Sequence, residues 1–169
     1  MRPPRGLVGT VDDASRDYRR ALGSFATGVT VVTAEDAEGA LGLTVNSFTS
    51  VSLDPRLVLW CLDDVCDRRH VFHNAEHFAI NLLRAGDEDH SRRFSKGAWR
   101  LEPGEAEHGA TGAPMLKGAL ARFECEVRER IQLGDHQVIV GEVLAFDAVD
   151  GEALVYFRGQ YGRFDGAGS

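Results

Sequence analysis

The sequence predicts a mainly β domain, a β-barrel or sandwich of antiparallel strands with peripheral helices, and three observations predict it. Short apolar runs separated by turn residues outnumber helical stretches. β-Branched residues crowd several of those runs, as in Gly28-Val29-Thr30-Val31-Val32-Thr33. In the C-terminal third, Ala119, Ala121, Phe123, Cys125, Val127 and Ile131 share one parity, while Arg122, Glu124, Glu126, Arg128 and Arg130 share the other. Only Leu120 and Glu129 break that alternation, which describes a half-buried antiparallel strand and not a helix.

The elements follow in order. Residues 1–11 hold two prolines and two glycines and read as a loose arm. Asp12 or Asp13 can cap a helix carrying Ala14, Tyr18, Ala21, Leu22 and Phe25 at helical spacing. A strand over 28–33 then meets a turn over Glu35 to Gly39, and a second strand runs from Leu41 through Val45. Asp54-Pro55 signals a turn before a third apolar run, Leu57 to Leu62. A short helix is expected over 68–76, a strand over 78–83 and a charged helix over 86–95. Residues 99–111 lack periodicity and read as a loop. After the alternating strand, Gly134-Asp135 makes a turn, followed by strands over 138–146 and 153–157. One domain over 12–165 with a tail over 166–169 accounts for the chain, since 169 residues suffice for a single core.

Composition excludes several classes of function. The hydrophobic share of 43% and charged share of 27% are those of an ordinary globular protein. A net charge of -7 gives no support for nucleic-acid or anionic-membrane binding. No apolar run approaches the ~18 residues a membrane helix needs. Three scattered cysteines make no disulfide framework, and with no signal-peptide pattern the expected compartment is a reducing cytoplasm.

Motifs for chemistry are sparse when read singly. Neither Gly-x-Gly-x-x-Gly nor a phosphate loop ending in Gly-Lys-Ser/Thr is present, so a nucleotide would be held in another way. Thr44-Val45-Asn46-Ser47-Phe48-Thr49-Ser50-Val51-Ser52 is dense in hydroxyls. Two readings fit it: a solvated edge strand, or a row of donors for the polar edge of a planar ring. Arg92-Arg93-Phe94 could meet a phosphate or simply coat a helix. His70, His73 and His77 could share a helical face, but no second ligand cluster accompanies them and no metal is expected. His136 follows a turn, and no Gly-x-Ser-x-Gly elbow supports a serine hydrolase.

Taken in order, seven segments resemble the short-chain flavin reductase family, the reductase partners of two-component flavin-dependent monooxygenases. They are Phe25 to Thr33, Thr44 to Pro55, Ala75 to Leu83, Arg92 to Phe94, Gly112 to Leu116, Gly134-Asp135-His136 with Gly141-Glu142-Val143, and Tyr156 to Gly159. The resemblance implies an FMN-binding split barrel of Greek-key type that forms a homodimer and binds FMN or FAD near the interface. It implies hydride transfer from NADH or NADPH, with His136 and Tyr156, Arg158, Gly159 and Tyr161 on the nicotinamide side. Thr44, Val45, Asn46, Ser47, Phe48, Ser50 and Val51 would line the ring edge, and Trp60, Cys61 and Leu62 would flank the ribityl chain. Cys66, Asp67, Arg68, Arg92, Arg93 and Phe94 would approach the phosphate. Cys66 departs from the family, where a serine is common, which shifts the phosphate toward backbone amides and arginines. Two other readings of the same barrel are a non-catalytic flavin- or haem-binding module and a flavin-mediated reductase of another acceptor.

Overall fold

The computed structural model describes residues 11–164. The expected arm lies outside them except for Val11, and the expected tail lies wholly outside. The chain forms, in order, α1 (Val11–Leu22), β1 (Thr27–Gly28), β2 (Thr30–Asp36), β3 (Gly39–Val45), β4 (Thr49–Leu53), β5 (Arg56–Asp63), α2 (Arg69–Asn74) and β6 (His77–Leu82). Then come α3 (Glu88–Lys96), β7 (Ala106–His108), β8 (Pro114–Leu116), β9 (Ala121–Leu133), β10 (His136–Ala148), β11 (Leu154–Phe157) and β12 (Gln160–Arg163). Seven strands make one antiparallel sheet in the order β3-β2-β6-β9-β10-β5-β4, with β1-β11-β12 and β7-β8 as smaller sheets. The mainly β, antiparallel expectation holds.

Two apolar clusters explain the layering. Trp60, Phe72 and Phe78 meet edge to face, Trp60 lying 5.5 Å from Phe72 and 5.9 Å from Phe78 between ring centroids, inside a cluster with Val32, Leu41, Ile80 and Ile139. On the other side of β2, Val29 and Val31 pack with Leu83, Phe94, Leu116 and Leu154. Successive β2 side chains point to opposite faces, so a strand covered on both faces is a continuous apolar run. Gly42 lets α3 lie against this sheet, because a Cβ there would stand 2.7 Å from the Phe94 ring and 2.9 Å from Val31.

Several expectations need correction. Among the described residues α1 spans Val11–Leu22, which places both aspartates inside it, and Asp13 ion-pairs Arg16 at 3.3 Å. Tyr18, Leu22 and Phe25 are exposed, and Phe25 lies beyond the helix. The expected loop over 99–111 contains β7, and β12 was not anticipated at all. The parity of β9 also fails at two points. Ile131 is exposed near the strand's far end, while Glu124 is fully buried.

Glu124 is buried because the loop before β8 covers its face. Its carboxylate accepts the N–H groups of Ala110 (3.1 Å) and Thr111 (2.6 Å) and the Thr111 hydroxyl (2.5 Å). Gly109 makes room, since a Cβ there would fall 2.4 Å from the carboxylate. Burial pushes the Glu124 carboxyl up, but the hydrogen bonds from Thr111 and Ala110 outweigh it and leave it below the ordinary glutamate value. A carboxyl depressed on folding adds stability above its unfolded value of about 4.3, and that stability is lost as pH falls through the folded value. Glu124→Gln is therefore expected to cost about 1–3 kcal/mol at neutral pH, with a smaller difference in acid, as read by urea unfolding at both pH values. An equal loss at both would refute the ionised clamp.

Candidate active site

The site grows from the outer edge of β3. Within the sheet that strand pairs with β2, and the 99–101 segment bridges part of its other edge, Gly42 donating its N–H to the Trp99 carbonyl at 2.9 Å and Leu101 donating to the Ala40 carbonyl at 3.0 Å. Thr44 shares the parity of Gly42, so its backbone N–H faces the same outer edge, past the bridged stretch. The Thr44 hydroxyl is already engaged, donating to the Ser91 carbonyl of α3 at 2.8 Å. The Ser47 hydroxyl accepts the Cys61 N–H at 2.9 Å and ties the segment to β5. Two hydroxyls of this stretch thus hold the wall in place, and the Ser47 O–H, backbone groups and the Asn46 amide remain to meet a ligand.

A cleft of about 700 Å³ opens there, within the range of small-molecule sites. The segment 43–47 forms one wall, Cys61 and the loop 63–68 a second, and the C-terminal end of α3 with Trp99 a third. His136 stands at the mouth, where its register with Asp63 across the β10–β5 pair sets it. Its Nδ1 lies 2.8 Å from the Asp135 carboxylate, and the His136 ring holds that carboxyl below its usual range. A second cleft of about 880 Å³ lies across α3, lined by Glu88, Asp89, Arg92, Lys96, Tyr156 and Tyr161 among others. A smaller pocket of about 200 Å³ adjoins both, sharing Thr44 to Asn46 with the first and Tyr156 and Tyr161 with the second.

The structure brings together Thr44, Val45, Asn46, Ser47, Cys61, Cys66, Asp67, Arg68 and His136 in the first cleft. Tyr156, Gly159, Tyr161 and Arg92 line the second, with Arg92 stacked 5.1 Å over the Tyr161 ring. The other expected site residues do not line these two clefts. Strand alternation turns Cys61 into the cleft and its neighbours Trp60 and Leu62 into the core, where both are fully buried. Phe94 is likewise fully buried, and Phe48 packs on Phe123 at 5.8 Å beside a separate apolar hollow. Ser50 and Val51 sit exposed on β4, the outermost strand at the far end of the sheet. Arg93 is spent on Glu105 (2.5 Å) and on the Ala98 and Arg100 carbonyls. Arg158 occupies a left-handed turn position, φ 48°, and reaches Ser24 at 3.4 Å, away from the clefts.

Arg68 lines the first cleft but is committed to the scaffold. It donates to the Gly42 (3.1 Å), Phe94 (2.7 Å) and Ser95 (3.5 Å) carbonyls and to Asp67 (3.0 Å). Lys96, which the sequence reading missed, lines both clefts and has no ion pair among the described residues. Ser91 and Ser95 were missed too. Their signal is small residues at i and i+4 on a charged helix, which is where a helix lets a ligand or a strand approach. Ser91 holds the Tyr161 hydroxyl at 2.8 Å. The N–H groups of Asp67 and Arg68 have no hydrogen-bond partner among the described residues, so the loop at Cys66 retains backbone donors for an anion. No helix among the described residues is long and apolar enough to cross a membrane.

The model of the flavin reductase like domain matches residues 22–165. The FMN reductase (NADH) SmoA of Agrobacterium fabrum is 47% identical over 150 residues, covering 89% of this chain and 86% of that protein. The reductase component of the flavin-dependent trigonelline monooxygenase of Acinetobacter baylyi is 38% identical over 151 residues, covering 86% of this chain and 48% of that protein. The Streptomyces globisporus NADH:FAD oxidoreductase SgcE6, solved in complex with NAD and FAD fragments, matches with a TM-score of 0.87 at 33% identity, covering 98% of this chain and 100% of that one. The chain belongs to the flavin reductase-like domain family and shares the split-barrel fold of its structural neighbours.

Proposed function

We propose that this chain is an NADH-dependent flavin reductase that reduces FMN or FAD and passes the reduced flavin to a partner monooxygenase. The convergence of the outer end of β3, the Cys66 loop, Lys96 and His136 on one cleft carries this reading. The donor set suits a flavin: the Thr44 N–H and the Asn46 amide for the polar ring edge, and Lys96 with the 67–68 amides for the phosphate. When bound, the two cofactors supply the hydride exchange itself. The protein positions them, and backbone donors at Thr44 favour the extra negative charge of a reduced ring. His136, on the wall of the first cleft, orients the nicotinamide carboxamide, while Tyr156 and Tyr161 line the adjoining pocket beside Thr44 to Asn46.

The same reading takes 12–165 as one domain, with 1–11 an arm and 166–169 a tail, in a cytoplasmic homodimer. Tyr18, Leu22, Phe25, Val51, Leu53 and Phe146 are exposed, which favours a covered face between two copies. His136→Ala is expected to raise the KM for NADH about tenfold and to leave the Kd for FMN within about twofold. A collapse of FMN affinity with an unchanged KM for NADH would contradict its placement. Steady-state NADH oxidation tests the function: it should depend on added FMN or FAD. A protein that binds flavin but never consumes NADH would instead be a non-catalytic module, and consumption that requires some further acceptor would favour a flavin-mediated reductase.

A further inference from the structure

We infer that the second cleft receives the adenosine diphosphate half of NADH, and that Glu88 and Asp89 there select against the 2′-phosphate of NADPH. This rests on the reading of the chain as a flavin reductase. A flavin and a nicotinamide must meet face to face, and the small pocket lined by Thr44 to Asn46 and by both tyrosines shares its walls with both clefts. With the flavin in the first cleft, the rest of the dinucleotide extends into the second, about 880 Å³ in volume. FAD also carries an adenosine diphosphate half. Competition of ADP-ribose with NADH or with FAD distinguishes the two sources.

The charges of the second cleft then read as a match to one nucleotide and a mismatch to the other. Its cations are Arg92 and Lys96, and its carboxylates are Glu88 and Asp89. All four lie on α3, and none forms an ion pair among the described residues. Arg92 and Lys96, one helical turn apart, can balance the two charges of a diphosphate. The carboxylates can accept the hydroxyls of an adenosine ribose, the role acidic side chains play toward a ribose 2′-hydroxyl in other nucleotide folds. A 2′-phosphate would meet those carboxylates with no further cation in the cleft, and like charges placed together exclude a ligand strongly. Discrimination therefore comes from repulsion at Glu88 and Asp89 more than from attraction at Arg92.

Three measurements test this. In Glu88→Lys and Asp89→Lys, the ratio of kcat/KM for NADH to that for NADPH should fall by about tenfold or more in at least one variant. Arg92→Ala should raise the KM for NADH about tenfold while kcat stays within about twofold. For the unaltered protein, calorimetry should show ADP-ribose binding at least about tenfold more tightly than its 2′-phosphate, without displacing FMN. The calorimetric comparison needs neither turnover nor a variant that folds. Absence of NADH oxidation in the unaltered protein would remove the reductase reading itself. Turnover with a ratio that moves less than about twofold in both lysine variants, or ADP-ribose that competes with FAD and not with NADH, would overturn this inference.

Discussion

Replacing Arg68 by methionine is expected to lower stability by about 3 kcal/mol and to weaken FMN binding by about tenfold or more. The guanidinium is almost wholly buried and ties three walls of the first cleft together: β3 through Gly42, the end of α3 through Phe94 and Ser95, and its own loop through Asp67. The last carbonyls of a helix have no partner within the helix, and here Arg68 supplies one. Methionine keeps most of the apolar stem but leaves those buried carbonyls unmet, which costs about 1–3 kcal/mol for each group so stranded. The free end of α3 would then carry Ser95 and Lys96 away from the cleft. Chemical unfolding and a fluorescence titration with FMN read the two effects. A variant with wild-type stability and affinity would show that the clamp positions nothing.

Trp60→Ala is expected to cost about 3–5 kcal/mol, as large aromatic deletions in a closed core do. The indole is fully buried against Phe72 and Phe78, and its N–H finds no hydrogen-bond partner among the described residues. Phenylalanine removes that stranded donor at the expense of some volume, so Trp60→Phe should stay within about 1.5 kcal/mol of the native protein. Because the ring faces away from the cleft, FMN affinity in Trp60→Phe should change by less than about twofold. Loss of flavin binding in a folded Trp60→Phe protein would mean that the indole reaches the cofactor after all.

Trp60 also marks where the sequence could be read and where it could not. The run Leu57 to Leu62 announces a strand, and β5 is that strand with one residue added at each end. Which side of it faces a ligand depends on register, and a step of one residue exchanges Cys61 for Trp60 and Leu62. The long strands, the hairpin turn before His136 and the positions of α2 and α3 were legible because local pattern decides them. β7 and β12 were not, since Ala-Glu-His and Gln-Tyr-Gly-Arg carry no apolar alternation and owe their pairing to neighbours. The arginines depend on tertiary contacts in the same way. Composition says that Arg68, Arg92 and Arg93 are cations, but only tertiary contacts say that Arg93 is consumed by Glu105 and Arg68 by carbonyls. Lys96, with no ion pair among the described residues, carried no motif to draw attention to it.

The central claim is that the cleft beside β3 holds a flavin within hydride reach of NADH, and anaerobic mixing tests it most directly. Purified protein with NADH and a many-fold excess of FMN or FAD should bleach far more flavin than there is protein, because reduced flavin leaves and is replaced. Flavin absorbance that stays unchanged with NADH, for FMN and FAD alike, would contradict the account.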